Sequence, residues 1–372
     1  MFSADDHRFM ARALELAARG LYTTTPNPRV GCAIVNNGVV VGEGWHEKAG
    51  SAHAEVNALR AAGAAARGAT AYVTLEPCNH HGRTPPCSLA LIDAGIARVI
   101  AAMHDPNTKV GGGLQHLAAA GIAVESGLLE AEARDLNAGF ISRMTRGRPW
   151  LRLKVAASLD GKTALENGVS QWITGADARR DGHAFRARAC AVLTGMGTIK
   201  DDDPLLTVRD VPTPRQPLRV VVDSRFEIPL SAKILDGKPV LVAIAQENPA
   251  KAAALRSMGA DTVRLPNAHG KVDLMALMQE LARRELNEVH VEAGSRLNGS
   301  LLREGLVDEL LFYFAPMLIG SAARGMFDLP QLTELSTARR LQIFDQCVLG
   351  ADWRMRAKLL PAPETNAKET AP

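Results

Sequence analysis

His53-Ala54-Glu55 is followed, 22 residues after Glu55, by Pro77-Cys78, and Cys87 stands nine positions beyond Cys78. One imidazole and two thiolates suit Zn2+, which takes nitrogen and sulfur donors at about 2.0–2.3 Å in tetrahedral geometry. Three protein ligands leave a fourth position for water, the arrangement of a catalytic centre rather than a closed structural one. Glu55 sits two positions from His53, where a helical run opens, and from there its carboxylate reaches the fourth ligand rather than the metal. Zinc deaminases of nucleobases use this device: the metal activates a water, and a non-ligating Glu moves its proton as oxygen attacks the carbon bearing the amino group. Their usual signature is H-x-E followed by P-C-x-x-C, whereas the second spacing here is C-x8-C. A structural zinc, with a fourth ligand from His80 or His81 between the cysteines, is the alternative. Cys32, in the apolar run VGCAIV, is expected in a core strand.

The second half holds a different set of groups. KVAASLDGKTA (154–164), SQWITG (170–175) and LTGMGTIKDDDPLLTVR (193–209) combine a tight Asp160-Gly161 turn, an indole, hydroxyls and arginines. VHVEAGSRLNGSLL (289–302) is a strand ending at Glu292, a glycine turn and a helix start. Such a turn suits an anion held on backbone N–H groups. No G-x-G-x-x-G follows a strand with an acidic residue about 20 positions later, so the dinucleotide fingerprint is missing. The residues alone therefore specify an α/β domain with an anion site.

The elements that must position these groups alternate along the whole chain. Ser3 and Asp6 form a capping box ahead of apolar residues at helical spacing, predicting a helix over 4–19. Val30–Val35 and Val39–Val41 flank Asn36-Asn37-Gly38 and read as a hairpin. Helices and strands then alternate to about residue 144, the last helical run being LLEAEARDLNAGFISRM, so the first part is one layered α/β unit. RMTRGRP (143–149) interrupts the pattern, and we place a domain boundary there, giving domains 1–146 and 147–360. The second domain again alternates, with strands at 151–158, 190–195, 218–223, 240–245, 262–265, 288–292 and 308–314, and helices at 176–188, 249–258, 272–284 and 296–304. PAPETNAKETAP is expected to leave residues 361–372 as a disordered tail.

With 372 residues, two or three domains fit, each with a real core. Lys and Arg number 43 against 40 Asp and Glu, a formal +3, and aromatics are 4%; neither favours a surface built for nucleic acid. The five cysteines are scattered and odd in number, as for reduced thiols of a cytoplasmic protein rather than a disulfide framework. The start, MFSADDHRFM, is acidic and lacks the pattern of a signal peptide, and no 18-residue apolar run predicts a membrane span.

TPNPRVGCAIV (25–35), GEGWHEKAGSAHAE (42–55) and TLEPCNHHGRTPPC (74–87) resemble, nearly continuously, the deaminase half of the bifunctional riboflavin-biosynthesis deaminase/reductases, the RibD family. The second cysteine of that family follows an inserted loop of this length, which accounts for C-x8-C. LKVAASLDGKTA, SQWIT, DDDPLLTVR, VVVDS and VEAGSRLNGSLL resemble the reductase half, and the matches cover about residues 1–320 in order. The resemblance implies a cytidine-deaminase-like three-layer domain followed by an α/β domain similar to dihydrofolate reductase. It implies one Zn2+ on His53, Cys78 and Cys87, with Glu55 as proton shuttle, pyrimidine contacts from Asn27 and His46, and a phosphate contact from Arg83. It further implies NADPH contacts from Ala156, Trp172, Thr198, Asp202, Ser224 and the turn Gly294, Ser295, Arg296, Leu297, Asn298, Gly299 and Ser300. Ser170, Arg186, Leu206, Arg209 and Glu292 correspond to substrate contacts, the arginines being suited to a ribose phosphate; Lys154 and Asp160 are nearby polar candidates.

The expected partner is thus a small phosphorylated pyrimidine, with neither nucleic acid nor membrane, and the family suggests a homo-oligomer. Two other readings are compatible with these residues. A nucleobase or tRNA deaminase fused to an unrelated α/β module would need a basic, aromatic-bearing face. A non-catalytic zinc-stabilised binding protein would need four protein ligands and no use for Glu55.

Overall fold

Ser3 Oγ accepts the N–H of Asp6 at 3.0 Å and the Asp6 carboxylate accepts the N–H of Ser3 at 2.8 Å, so the capping box forms as its sequence requires. Helix α1 (Ala4–Ala18) then buries Phe9, Met10, Ala13, Leu16 and Ala17. The computed structural model describes residues 1–80, 85–107, 110–237 and 239–361. It divides into two units: Met1–Pro149 with Thr213–Arg215 and Leu281–Asn287, and Trp150–Pro212, Gln216–Glu280 and Glu288–Pro372. No helix among the described residues is long and apolar enough to cross a membrane.

The first unit continues with β1 (Gly31–Asn36), β2 (Val39–Trp45), α2 (Ala54–Ala62), β3 (Thr70–Val73), α3 (Cys87–Asp93), β4 (Arg98–Ala101), α4 (Gly113–Ala119), β5 (Ala123–Ser126), α5 (Glu130–Leu136) and α6 (Ala138–Arg146). Its five-stranded sheet has the order β2-β1-β3-β4-β5. The hairpin pairs antiparallel and β1 runs antiparallel to β3, while β3, β4 and β5 are parallel. That combination places α2 and α3 beside the carboxyl end of β3, where the metal-type residues lie. The helical run after β5 is interrupted at Asn137. Its side chain accepts the N–H of Arg29 at 2.8 Å and donates to the Arg29 carbonyl at 2.9 Å, which ties the break to the strand-leading loop instead of prolonging one helix.

The second unit comprises β6 (Trp150–Ser158), β7 (Lys162–Ala164), α7 (Ala176–Arg188), β8 (Ala191–Gly195), α8 (Met196–Asp202), β9 (Leu218–Asp223), β10 (Val240–Ile244), α9 (Pro249–Ser257), β11 (Ala260–Arg264), α10 (Leu274–Arg283) up to Glu280, β12 (Glu288–Val291), α11 (Ser295–Arg303), β13 (Glu309–Ala315), β14 (Arg324–Gly325), β15 (Leu341–Leu349) and β16 (Asp352–Leu359). The nine-stranded sheet has the order β11-β10-β9-β8-β12-β6-β13-β16-β15. It is parallel from β11 to β13, and β16 and β15 add an antiparallel edge. From the centre the chain builds one way through β8 to β11 and the other way through β13. Ligands of open α/β sheets bind outside the carboxyl ends of the strands where the winding reverses, which points to the ends of β6, β12 and β8. Beneath them, Arg152 is 1% exposed and pairs with Glu288 and Glu309, fixing β6 between its neighbours.

Candidate active sites

His53 is the cap residue of α2, and Cys87 is the first residue of α3. Cys78 lies in the loop between β3 and α3. One donor atom from each, His53 and the two sulfurs, lies within 4.8 Å of the others. His53 Nδ1 is 3.2 Å from Cys87 Sγ and 3.6 Å from Cys78 Sγ, and the backbone N–H of Cys87 donates to Cys78 Sγ at 3.4 Å. The Cys78 thiol is pushed down to about 4 by its hydrogen bond from Cys87, with His53 adding to the effect against burial. Cys87 is pushed up by the same contact and by its own burial. A ready thiolate, a second sulfur and an imidazole nitrogen converging on one point fit a zinc ion with one position left for water. Among the described residues no fourth protein ligand joins this group; His81 and Arg83 lie outside them.

The three donors face a cavity of about 520 Å³ lined also by Asn27, His46, Glu55, Glu76, His80, Asp105, Asn107 and Phe140, a volume in the range of small-molecule pockets. Glu55 is 3% exposed, and burial lifts its carboxyl to about 7, with His53 opposing. Asn27 and His46 are brought together. His46 Nδ1 is 3.1 Å from the Ala52 carbonyl, which can only accept, so the proton sits on Nδ1; Nε2 then accepts from Asn27 Nδ2 at 3.0 Å. Burial lowers the pKa of His46, consistent with this neutral form.

The sequence motifs carried no role for Glu76, Asp105 and Asn107. Glu76 is 7% exposed, and its two carboxylate oxygens hold the 104–114 segment: Oε1 accepts the N–H of Gly112 at 3.0 Å and of Leu114 at 3.2 Å, while Oε2 accepts the N–H of Asp105 at 3.2 Å and faces His104 Nδ1 at 3.2 Å. Gly113 lets this segment touch the metal-bearing loop, since a Cβ there would overlap the Pro77 carbonyl.

In the second unit the candidates gather at the carboxyl ends of β9, β8, β12 and β6. Ala156 lies on β6, Thr198 and Asp202 lie on α8, and Ser224 follows β9. Gly294 caps α11, which carries Ser295, Arg296, Leu297, Asn298, Gly299 and Ser300. The start of α8 lies against α11: a Cβ on Gly195 would meet Leu297 Cδ2 at 3.1 Å. Ser224 Oγ accepts the N–H of Val272 at 3.0 Å. Ser170 Oγ donates to Asp202 at 3.3 Å. Trp172 is 66% exposed under the Arg179 guanidinium, so it is not a core residue. Leu206, by contrast, is packed in the core.

Arg186 and Glu292 form a two-pronged ion pair at 2.7 and 3.0 Å. The remaining Arg186 nitrogen donates to the Thr207 carbonyl at 2.6 Å. Lys154 Nζ stands 3.9 Å from the same Glu292, and buried His290 stands 3.5 Å away. Burial alone would raise the Glu292 carboxyl, but Arg186 and Lys154 outweigh it and hold it well below the carboxylate range. Burial lowers Lys154, against the pull of Glu292. Each guanidinium nitrogen of Arg186 thus has a protein partner, whereas Arg209 is exposed.

Comparison with known proteins places the two units. Residues 3–103 match the cytidine and deoxycytidylate deaminase zinc-binding region, and residues 149–354 match the RibD C-terminal domain. The Riboflavin biosynthesis protein RibD of Escherichia coli (strain K12) is 48% identical over 362 residues, covering 93% of this chain and 97% of its own. That of Haemophilus influenzae is 47% identical, covering 95% and 97%. Among solved structures, Acinetobacter baumannii RibD superposes with a TM-score of 0.89 at 44% identity, covering 96% of this chain and 99% of its own. A diaminohydroxyphosphoribosylaminopyrimidine deaminase/5-amino-6-(5-phosphoribosylamino)uracil reductase from Thermotoga maritima gives 0.85 at 31% identity, covering 96% and 99%. Fold and site therefore define a cytidine-deaminase-like unit joined to a reductase unit in one chain. The chain belongs to the RibD family, the bifunctional deaminase/reductases of riboflavin biosynthesis.

Proposed function

We propose that the first unit removes the 2-amino group of 2,5-diamino-6-(5-phosphoribosylamino)pyrimidin-4(3H)-one as ammonia. The second unit then reduces the ribosyl chain to ribityl by hydride transfer from NADPH to C1′. The observation that carries the first step is the convergence of His53, Cys78 and Cys87 beside buried Glu55 on one cavity wall. Zinc bound by those three residues would supply Lewis acidity and an acidified water. Glu55 takes a proton from the attacking water and hands it to the departing nitrogen, so that water in and ammonia out balance. A carboxyl lifted to about 7 by burial both accepts and returns a proton near neutrality. Asn27, oriented by His46, offers its amide oxygen to a donor edge of the pyrimidine, and Arg83 meets the phosphate.

In the reductase unit, Ala156, Trp172, Thr198, Asp202, Ser224 and residues 294–300 at the start of α11 hold NADPH. Glu292, braced by Arg186 and Lys154, faces the ribosyl end with Ser170, and Arg209 binds the phosphate. The enzyme works in the cytoplasm as a homo-oligomer. Support for the latter is the edge strand β15, whose Leu341, Ile343, Phe344 and Val348 are exposed, a face that natural edges usually cover or charge. Light scattering on the purified chain tests it, and a monomer refutes it.

The decisive experiment is Glu55→Gln. It should keep one zinc per chain by elemental analysis and lose deamination by 10²-fold or more, on the order expected for a general acid–base group. Reduction of pre-deaminated substrate with NADPH should continue unchanged. Retained deamination, or absence of reduction with NADPH, overturns the corresponding half.

A further inference from the structure

Between α8 and β9 the chain from Leu206 to Arg209 has no regular secondary structure, so its backbone groups need partners from elsewhere. Side chains supply them at three successive residues. The Thr207 carbonyl accepts from Arg186 at 2.6 Å. The Val208 N–H donates to Gln216 Oε1 at 2.7 Å, and the Val208 carbonyl accepts from Gln216 Nε2 at 3.1 Å. The Gln216 amide thus pairs with both backbone polar groups of one residue, as a neighbouring strand would. The Arg209 N–H donates to His183 Nδ1 at 3.3 Å. Leu206, in a left-handed conformation with φ 52°, is seated in the core at one end of this run.

The guanidinium of Arg209 is exposed, with no hydrogen-bond or ion-pair partner among the described residues. The clamp therefore fixes the backbone and leaves this cation available. It is also tied to the reacting end of the site, because the guanidinium that holds Thr207 is the one that grips Glu292. Segment and carboxylate share an anchor, so the distance between them is set by Arg186 while the direction of the segment is set by Gln216 and His183.

We infer that Gln216, with His183, is a positioning residue that aims Arg209 at the phosphate of the reductase substrate, and that this amide clamp sets the preference for phosphorylated over unphosphorylated substrate. The inference rests on the reading of Arg209 as the phosphate contact. Nothing in the residue type of Gln216 announces the role; it follows from an amide paired with both polar atoms of one residue.

The test uses the full-length enzyme and two substrates, 5-amino-6-(ribosylamino)uracil with and without its 5′-phosphate. Gln216→Met keeps the length and removes both hydrogen bonds; Gln216→Glu keeps the acceptor for the Val208 N–H and loses the donor. Gln216→Met should raise KM for the phosphorylated substrate on the order of tenfold, the scale expected when a charge-assisted hydrogen bond to the phosphate is weakened. KM for the unphosphorylated substrate, kcat and the NADPH dissociation constant should stay within about twofold, and Gln216→Glu should fall between. An unchanged ratio of the two KM values in both variants overturns the inference. So does an equal rise of both, or lost NADPH binding, which would mean that the clamp supports the unit as a whole. Arg209→Met separates the two claims: if it leaves the ratio at the wild-type value, the phosphate assignment fails. If it collapses the ratio while both Gln216 variants do not, only the clamp fails.

Discussion

Replacing Glu76 by Gln changes one atom and should disarm the deaminase wall without emptying the metal site. In the native chain the Glu76 carboxylate accepts three backbone N–H groups, from Gly112, Leu114 and Asp105, and faces His104. An amide can keep its oxygen on Gly112 and Leu114, but these become neutral bonds, each weaker by about 1 kcal/mol. Its NH2 then confronts the Asp105 N–H, leaving a half-buried donor unpaired at about 1–3 kcal/mol. His104 escapes, because its exposed ring can change tautomer. The total is about 3–5 kcal/mol against the closed 104–114 segment, enough to shift its closed–open equilibrium constant by about two orders of magnitude or more, part of which the native preference for the closed form absorbs. Asp105 and Asn107 line the cavity from this segment, so the loss should appear chiefly in binding. We expect deaminase KM to rise about 10- to 100-fold, kcat to fall less, zinc to stay stoichiometric and reduction to be untouched. Steady-state deamination, elemental analysis and the reductase assay on one preparation read all four. Wild-type KM in a zinc-replete Glu76→Gln enzyme would refute the reasoning; loss of zinc would show that Glu76 serves the Cys78 loop instead.

Two further predictions concern the reductase unit. His183 is lowered to about 4 by burial first and then by Arg186 and Arg209, with Asp210 and Glu292 opposing, from an ordinary 6.5. The unfolded chain therefore binds this proton first: the stability His183 contributes is whole above pH 6.5 and drains as pH falls towards 4, by about 2 kcal/mol between pH 7 and 5. His183→Gln should flatten the pH dependence of reductase-unit unfolding by that amount, leaving the share of His290, itself lowered to about 3 by burial; the same loss of unfolding free energy between pH 7 and 5 in variant and wild type, read from denaturant titrations, would refute it. At Gly299 a Cβ would overlap the Asp328 carbonyl oxygen and press on Arg303 at 3.1 Å, so Gly299→Ala should cost about 1–3 kcal/mol of stability by overpacking and weaken NADPH binding. Unchanged melting and an unchanged NADPH titration would show that the 328 backbone yields freely.

The cluster of His53, Cys78 and Cys87 was legible in the sequence because metal chemistry dictates residue types. An imidazole at the cap of α2, a carboxylate two residues on and two sulfurs around a loop are rare in combination, and all but Cys78 sit where a helix begins. Glu76 was not legible although it stands in the same motif, since its partners are backbone N–H groups 29 to 38 residues away, and backbone leaves no mark in a sequence. Asp105 and Asn107 left one signal that was available: HDPN follows an apolar strand in a parallel α/β pattern, where the carboxyl ends of strands gather ligands. The capping box at Ser3 and the alternation through α11 followed from local rules. The break at Asn137 did not, because a tether to Arg29 outweighed the helical pattern around it. The antiparallel pair β15 and β16 also escaped, because the exposed apolar residues of β15 do not alternate with a buried face.

The reductase site explains why the second half spoke so faintly. Hydride transfer draws its chemistry from the cofactor and asks the protein for position, and position is made here by pairings that composition cannot display. Arg186 and Arg209 are alike as letters, two cations within one domain. In the fold one is locked to Glu292 and Thr207, and the other is held only by its backbone, with its charge turned outward. Counting arginines assigns both to the phosphate; following their hydrogen bonds divides them into an anchor and an exposed cation. The same division accounts for Gln216, which a sequence reading passes over as a neutral residue ahead of a strand. A metal centre is thus announced by what its residues are, and a cofactor-driven centre by what they are bonded to. Substitutions of equal size should accordingly act differently in the two units: at His53, Cys78 or Cys87 they abolish a step, whereas at Gln216 or His183 they shift which substrate is preferred.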